Sequence, residues 1–335
     1  MSSAPTAEEL WKDARWLAQA VDPNAGLIRL VEMSAQDYRD ASFLDDRMFD
    51  RPRISHLLKW DEISMPSGAR GDARWIFHIG HVGSTLIARL LGELDGVLSV
   101  REPRALRDLT FFPAEVRTQF TPTLQKLFAR TFAPHQAALI KATSFVSEIA
   151  SELLTPDQPA IFVYATPRNY IAGILAGENS RKELAALAES RDARLAGRGI
   201  QLPPAQNEAD VAAAAWACEM TALESVGELL LGPIAWTDFD MMLQDPAKWL
   251  AVLSGALRVP ASTTELAAIA DGPLMRRYSK ATEHEYSPQL RRDVLAEAGA
   301  RHRTNIESAL AMLDAAAETA PLLERALWRA SRSES

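Results

Sequence analysis

From residue 74 to about residue 260, short apolar runs alternate with stretches whose apolar residues recur at helical spacing. The runs 75–79, 97–100, 138–141, 160–164 and 234–237 lack the polar alternation of a half-exposed strand, so they read as strands buried on both faces. Between them the helical period holds over 84–94, 123–132, 145–154, 169–176 and 208–231. This alternation predicts an α/β fold: a three-layer P-loop-type domain with a mainly parallel sheet, in which ligands bind beyond the carboxyl ends of the strands.

The flanks read differently. Leu10, Trp11, Ala14, Leu17, Ala18 and Val21 fall at helical spacing and predict a helix over 7–20. A less regular stretch follows, with 27–31 as a strand candidate, so residues 1–70 read as a helical or irregular extension. The turn-rich Met65-Pro66-Ser67-Gly68-Ala69-Arg70-Gly71-Asp72 separates it from a core over 74–260. Residues 180–206 are polar, carry Gly197, Gly199 and Pro203-Pro204, and read as a helical excursion over the strand ends, a lid candidate. Residues 246–257, 288–298 and 304–330 are helical by pattern, giving a helical C-terminal region over 261–335.

Composition narrows the class. Of 335 residues, 47% are hydrophobic and 24% charged, which describes an ordinary globular chain, and the formal net charge of −8 speaks against a nonspecific nucleic-acid partner. The single cysteine, Cys218, excludes an intramolecular disulfide and sits in an alanine-rich run that predicts a buried thiol. The start of the chain has neither the basic nor the apolar segment of a signal peptide, and no run approaches the roughly 18 apolar residues of a membrane helix. A cytoplasmic protein without a membrane partner is the expectation; oligomeric state is not legible.

The segment most charged with chemistry is Gly80-His81-Val82-Gly83-Ser84-Thr85, between a predicted strand and a predicted helix. It puts backbone N–H groups, two hydroxyls and the positive end of a helix dipole at one point, which suits a phosphate or sulfate group. A nucleotide-hydrolysing loop of the form G-x-x-x-x-G-K-[ST] would carry a lysine, and none is present here. The simpler reading of the same residues is a glycine turn with Ser84 capping the helix.

His81-Val82-Gly83-Ser84-Thr85 resembles the [Arg/Lys]-Ser-Gly-[Thr/Ser]-[Thr/Ser] loop of the sulfotransferase family, with histidine in place of the leading cation. Further short matches follow in the same order. Val100-Arg101-Glu102-Pro103 resembles the Glu-Pro element of carbohydrate-type members, and Ile140-Lys141 a lysine-bearing strand end. Tyr164-Ala165-Thr166-Pro167-Arg168-Asn169 lines up with the family's 3′-phosphate motif, Arg-Asp-Pro-Arg-Asp-x-x-x-Ser; Arg168 matches its second arginine, while Ala165 and Gly173 replace its first arginine and its serine. Trp236-Thr237-Asp238-Phe239-Asp240, with Asp245-Pro246, and Arg277-Tyr278-Ser279-Lys280 resemble later elements, the last one of bacterial members.

The resemblance spans residues 74–300 and implies transfer of sulfate from 3′-phosphoadenosine 5′-phosphosulfate (PAPS) to a hydroxyl of a small molecule or carbohydrate, without a metal. It implies that Gly80, His81, Val82, Gly83, Ser84, Thr85 and Arg168 hold the donor, with His81 beside the leaving group. Glu102 is the base candidate, or alternatively the partner of Arg101, Arg104 or Lys141; Lys141 supplies positive charge or ends a buried strand. Competing readings are a P-loop kinase with Asp238 on magnesium, a degenerate nucleotide-binding protein without turnover, a metal site at His78 and His81, and a serine hydrolase. The metal reading has no third ligand fixed by spacing, and Val82-Gly83-Ser84-Thr85-Leu86 fails the G-x-S-x-G pattern. Trp11 and Trp60 are candidates for shaping an acceptor pocket.

Overall fold

The first helix is much shorter than its pattern predicts. In the computed structural model, which describes residues 4–229, 232–277, 279 and 285–332, α1 spans Ala7–Lys12 and is closed at its start by a reciprocal Thr6–Glu9 capping box. The chain then turns into strand β1 (Trp16–Asp22), which pairs antiparallel with β2 (Leu27–Glu32) around a turn with Gly26 at φ +61°. β3 (Ser55–Lys59) completes a three-stranded sheet, so much of residues 1–70 is sheet where helix was expected. The reason is burial on both faces of β1: Trp16, Leu17, Ala18 and Val21 are all inside, and such a run carries no period to separate strand from helix.

The core follows the predicted alternation closely. Strands β4 (Arg74–His78), β5 (Val97–Arg101), β6 (Ala137–Lys141), β7 (Ala160–Tyr164) and β8 (Ile234–Asp238) form one parallel sheet in the order β5-β6-β4-β7-β8. β4 is central because it is apolar on both faces: Trp75, Ile76 and Phe77 are fully buried. An aromatic ladder crosses the sheet from Phe77 to Phe162 (5.9 Å between ring centroids) and on to Trp236 (5.0 Å), both edge to face.

Helix α2 (Ser84–Leu91) follows β4 and packs on β5 and β6. α3 (Arg104–Thr110) follows β5 and rests on β1, joining the two sheets. Pro122 and its neighbours belong to a longer helix than expected, Ala114–Phe128, and the helix expected over 145–154 is instead a 3-10 segment, Ser144–Ile149, running into a short α turn. β7 leads into α4 (Pro167–Leu175), and the excursion is two helices, α5 (Glu178–Ala186) and α6 (Ala188–Gly197). The long alanine-rich α7 (Glu208–Leu229) runs under the sheet, where Trp216 is fully buried and its indole N–H donates to the Ala165 carbonyl at 2.9 Å. α8 (Pro246–Ala256) packs on β7 and β8. α9 (Pro288–Arg301) packs on α4; α10 (Arg303–Ala317) and α11 (Pro321–Ser331) pack on α7. The predicted helix over 304–330 thus breaks at Ala320-Pro321, because proline lacks the N–H that would continue it.

β4 has β6 on one side and β7 on the other, so the chain leaves these strands toward opposite edges of the sheet. That reversal opens a crevice at their carboxyl ends, where the Gly80–Thr85 segment lies. No helix among the described residues is long and apolar enough to cross a membrane.

Candidate active site

Three residues of the loop after β4 take left-handed backbone angles: Gly80 (φ +81°), His81 (φ +53°) and Gly83 (φ +63°). For a non-glycine residue such as His81 that conformation stores strain, a recurrent feature of ligand-binding turns. His78 sets the start of the loop. Its Nδ1 accepts the Gly80 amide at 2.9 Å while Nε2 lies 2.9 Å from the Ala142 carbonyl, which requires the neutral tautomer protonated on Nε2. His78 is therefore a buried clamp between β4 and the end of β6, and the Gly80 amide is turned inward; Gly80, expected to hold an anion, does not line the crevice.

Beyond Gly80 the loop faces a cavity of about 340 Å³. Val82, Gly83, Ser84 and Thr85 all line it, and among the described residues no acceptor meets the backbone N–H groups from Val82 to Leu86. Thr85 is 1% exposed and its hydroxyl has no hydrogen-bond partner among the described residues. A buried orphaned hydroxyl costs about 1–3 kcal/mol, and at a helix N-terminus an oxyanion would satisfy it. Phe239 covers the loop from the other side: a Cβ on Gly83 would lie 1.9 Å from its ring, so only glycine fits there.

Two predicted chemical residues meet behind this loop. Glu102, at the end of β5, also has a left-handed backbone (φ +54°), and its amide donates to the Lys141 carbonyl at 2.7 Å. Its carboxylate receives a charge-assisted bond from the Lys141 ammonium, which reaches the cavity wall, and lies 3.5 Å from an Arg47 guanidinium nitrogen. Both members of the Glu102–Lys141 pair are buried. Arg47 is held in turn by Asp45, with contacts of 2.7–3.1 Å, and stacks 3.4 Å over Phe43. Arg101, a candidate partner of Glu102 by sequence, points away. It donates to the carbonyls of Tyr38, Arg39 and Ala41, and burial, with the Arg89 charge adding to it, pushes its guanidinium down to about 9. Arg104 is occupied by Asp46 and Asp108.

His81 sits at the cavity rim, with Nε2 3.5 Å from Glu183 and Nδ1 3.4 Å from the Ser180 hydroxyl, both on α5. The far wall comes from α4 and α9, through Gly173, Leu290, Arg291 and Val294. Arg291 forms an ion pair with Asp240, whose carboxylate also accepts from Asn169 at 3.0 Å, and its guanidinium lies 4.9 Å over the Phe239 ring. Asp238 does not open toward a metal. Its Oδ1 caps the next turn by accepting from the amides of Asp240 (2.8 Å) and Met241 (3.0 Å), while Oδ2 is buried without a hydrogen-bond partner among the described residues. Burial, with Asp240 adding to it, pushes this carboxyl up to about 6.

Three residues singled out in the sequence lie off the cavity. Arg168 is exposed on the first turn of α4 and does not line the cavity, because the pitch of a helix entering at Pro167 turns its second residue outward. Trp11 and Trp60 pack against the core, Trp60 on Phe120 with centroids 4.5 Å apart, and neither lines the cavity. Tyr278 and Lys280 lie outside the described residues. Among the described residues no group of three or more His, Cys, Asp or Glu side chains is placed to hold a metal. Two further cavities, of about 400 and 520 Å³, hold none of the loop's donors.

No protein-family model and no curated protein matches the chain. Among solved structures it is similar to a sulfotransferase domain from the curacin biosynthetic pathway. That match has 15% identity and a TM-score of 0.41, and covers 77% of this chain and 97% of that one. It is also similar to a sulfotransferase domain from the Synechococcus PCC 7002 olefin synthase, with 17% identity and a TM-score of 0.38 over 66% of this chain and 86% of that one. At these scores the fold rests on the strand order and the loop geometry described above.

Phe239, Arg291, Asp240 and Arg47 escaped the sequence reading as site residues. Phe239 and Asp240 stood inside a segment already singled out, yet nothing local marks a phenylalanine as lying over a glycine 156 positions earlier. Arg47 and Arg291 carry no local signal at all.

Proposed function

We propose that the protein transfers a sulfuryl group from a nucleotide phosphosulfate of the PAPS type to a hydroxyl of a small molecule or carbohydrate. The observation that carries this reading is the orphaned Thr85 hydroxyl beside the unengaged loop amides, with the buried Lys141–Glu102 pair directly behind it. The order of the sulfotransferase-like motifs along the chain supports it. A donor of this kind supplies an electrophilic sulfur and a phosphate leaving group. The loop fits the 5′ end of such a donor: Ser84, Thr85 and the amides following Val82 offer donors at the positive end of α2, which favours an anion there. At the positions of the 3′-phosphate motif, Ala165 and Gly173 offer no polar side chain.

In this reading Glu102 accepts the proton of the acceptor hydroxyl as its oxygen attacks, Lys141 concentrates positive charge beside the reacting group, and His81 faces the leaving oxygen from the rim. Arg47 orients the Glu102 carboxylate from outside the cavity. A kinase reading lacks the loop lysine, and its metal ligand, Asp238, is engaged in a helix cap.

Calorimetric titration with adenosine 3′,5′-bisphosphate, without metal, tests the assignment. Micromolar binding is expected, weakened about tenfold or more by Ser84→Ala through loss of a charge-assisted hydrogen bond. Glu102→Gln, checked for folding by circular dichroism, leaves that binding in place and lowers sulfate transfer by about 10²–10⁴. Absence of heat with the bisphosphate, alongside tight binding of magnesium–ATP, selects the kinase instead.

A further inference from the structure

The three-stranded sheet has two edges, and they are treated differently. β1 is covered: it packs on α3, the Val21 amide donates to Asp108, and the Trp16 carbonyl accepts from Arg130. β3 is the other edge and pairs with β2 alone. On its inner side the Ile54 carbonyl accepts from the Glu32 amide at 2.9 Å and the Trp60 amide donates to the Gly26 carbonyl at 2.7 Å. In an antiparallel ladder alternate residues bond to the same neighbour, so the N–H and C=O groups of Ser55, Leu57 and Lys59 point away from β2. Among the described residues nothing meets them.

Such an edge invites another strand unless proline, a bulge or charge blocks it. β3 contains no proline, and its register with β2 runs from Ser55 to Lys59 without the irregularity seen between β1 and β2. Its surface is apolar where water would favour polar groups: Leu57 is 62% exposed and Ile54, just before the strand, 46%. The segment is also complementary to itself. Paired antiparallel with a copy about Leu57, it sets Ser55 opposite Lys59, and all three outward residues are matched, with about six hydrogen bonds. A shift of two residues leaves one of the three unmatched. Lys59, the one charge in the strand, then faces serine and not another lysine. Arg51 before the strand comes beside the acidic Asp61-Glu62 pair that follows it in the copy. All three are exposed, and none is paired within the chain among the described residues.

We propose that β3 is a dimerisation edge, through which two copies of this chain join by antiparallel pairing centred on Leu57 into one continuous sheet. Because β1 is covered, assembly closes at two. A five-residue strand buries less than the roughly 1,600 Å² of a standard interface, so a dissociation constant on the order of 1–100 μM is expected. The proposal is independent of the functional reading given above.

Sedimentation velocity on the full chain from about 1 to 300 μM tests it, and a monomer–dimer equilibrium is the expected result. Leu57→Pro removes an outward donor from each copy but nothing from the β2 ladder, so the far-UV circular dichroism should be retained and the dimer lost. Leu57→Lys, which sets like charges opposite each other without touching the backbone, should also abolish the dimer. Arg51→Glu and Glu62→Arg should each weaken association by about threefold or more, and together restore it. A chain that stays monomeric up to about 300 μM overturns the proposal. So does a dimer that survives Leu57→Lys, because its interface would lie elsewhere, and so does an assembly larger than two.

Discussion

Asp238 shows how much a single carboxyl can be bent to a local task. Its Oδ1 spends both hydrogen bonds on the turn that carries Phe239 and Asp240, while Oδ2 has no partner among the described residues. The folded protein therefore holds a proton on this group up to about pH 6, whereas an exposed aspartate would lose it near 3.8. Between those values the native state binds more protons than the unfolded chain, so this group's contribution to stability is full below about pH 4 and is lost as pH rises through 6. The loss amounts to about 2–3 kcal/mol. Asp238→Asn keeps the Oδ1 cap and cannot ionise; its melting temperature, relative to the unaltered protein, should improve steadily from pH 4 to pH 7. A constant difference across that range would show that Oδ2 finds a partner after folding.

At the scale of elements, the excursion over the site is pinned more firmly than its polar composition suggests. Arg191 and Arg194 of α6 meet the fully buried Glu219 of α7 at 3.4 and 3.2 Å. Arg194 and Arg198 meet Glu148 at 2.9 and 2.8 Å, and Arg198 also donates to the Cys218 carbonyl at 2.8 Å. The Cys218 thiol, buried and beside Glu219, is pushed up to about 12 and is inert at neutral pH. α5, which carries Ser180 and Glu183 against His81, hangs from this clamp. Arg198→Ala leaves Glu148 with one cation and removes one of the donors to the Cys218 carbonyl, which should cost about 1–3 kcal/mol. Faster cleavage within 178–206 under limited proteolysis, with the rest of the chain intact, is the expected outcome; unchanged cleavage would locate the anchoring elsewhere.

Across the whole molecule the two sheets share one hydrophobic core. β1 packs on α3, the Val21 amide donates to Asp108 of that helix at 3.1 Å, and the Arg130 guanidinium donates to the carbonyls of Leu10 and Trp16. α3 begins two residues after Glu102, so the N-terminal sheet buttresses the strand end that carries the proposed base. Leu17→Ala, at a position 2% exposed in β1, should cost about 3–5 kcal/mol. The test of the shared core is where that loss appears: tryptophan fluorescence and far-UV circular dichroism should shift together in one transition. Two separate transitions would mean that the sheets are independent units.

The pattern of apolar runs by itself determined the five core strands, the helices over 84–94, 169–176 and 208–231 and the place of the glycine loop between β4 and α2. Burial on both faces and the helical period are written locally, residue by residue, and a parallel sheet is the arrangement that satisfies them. Tertiary structure alone decided that Trp16–Asp22 is a strand, since a run buried on every side has no period until β2 pairs with it. It also decided which charges meet: Glu102 with Lys141 and Arg47, Arg291 with Asp240, and Phe239 over Gly83. Those pairs join residues 39 to 156 positions apart, and only the crossing of chain segments at the carboxyl ends of the sheet brings them within reach.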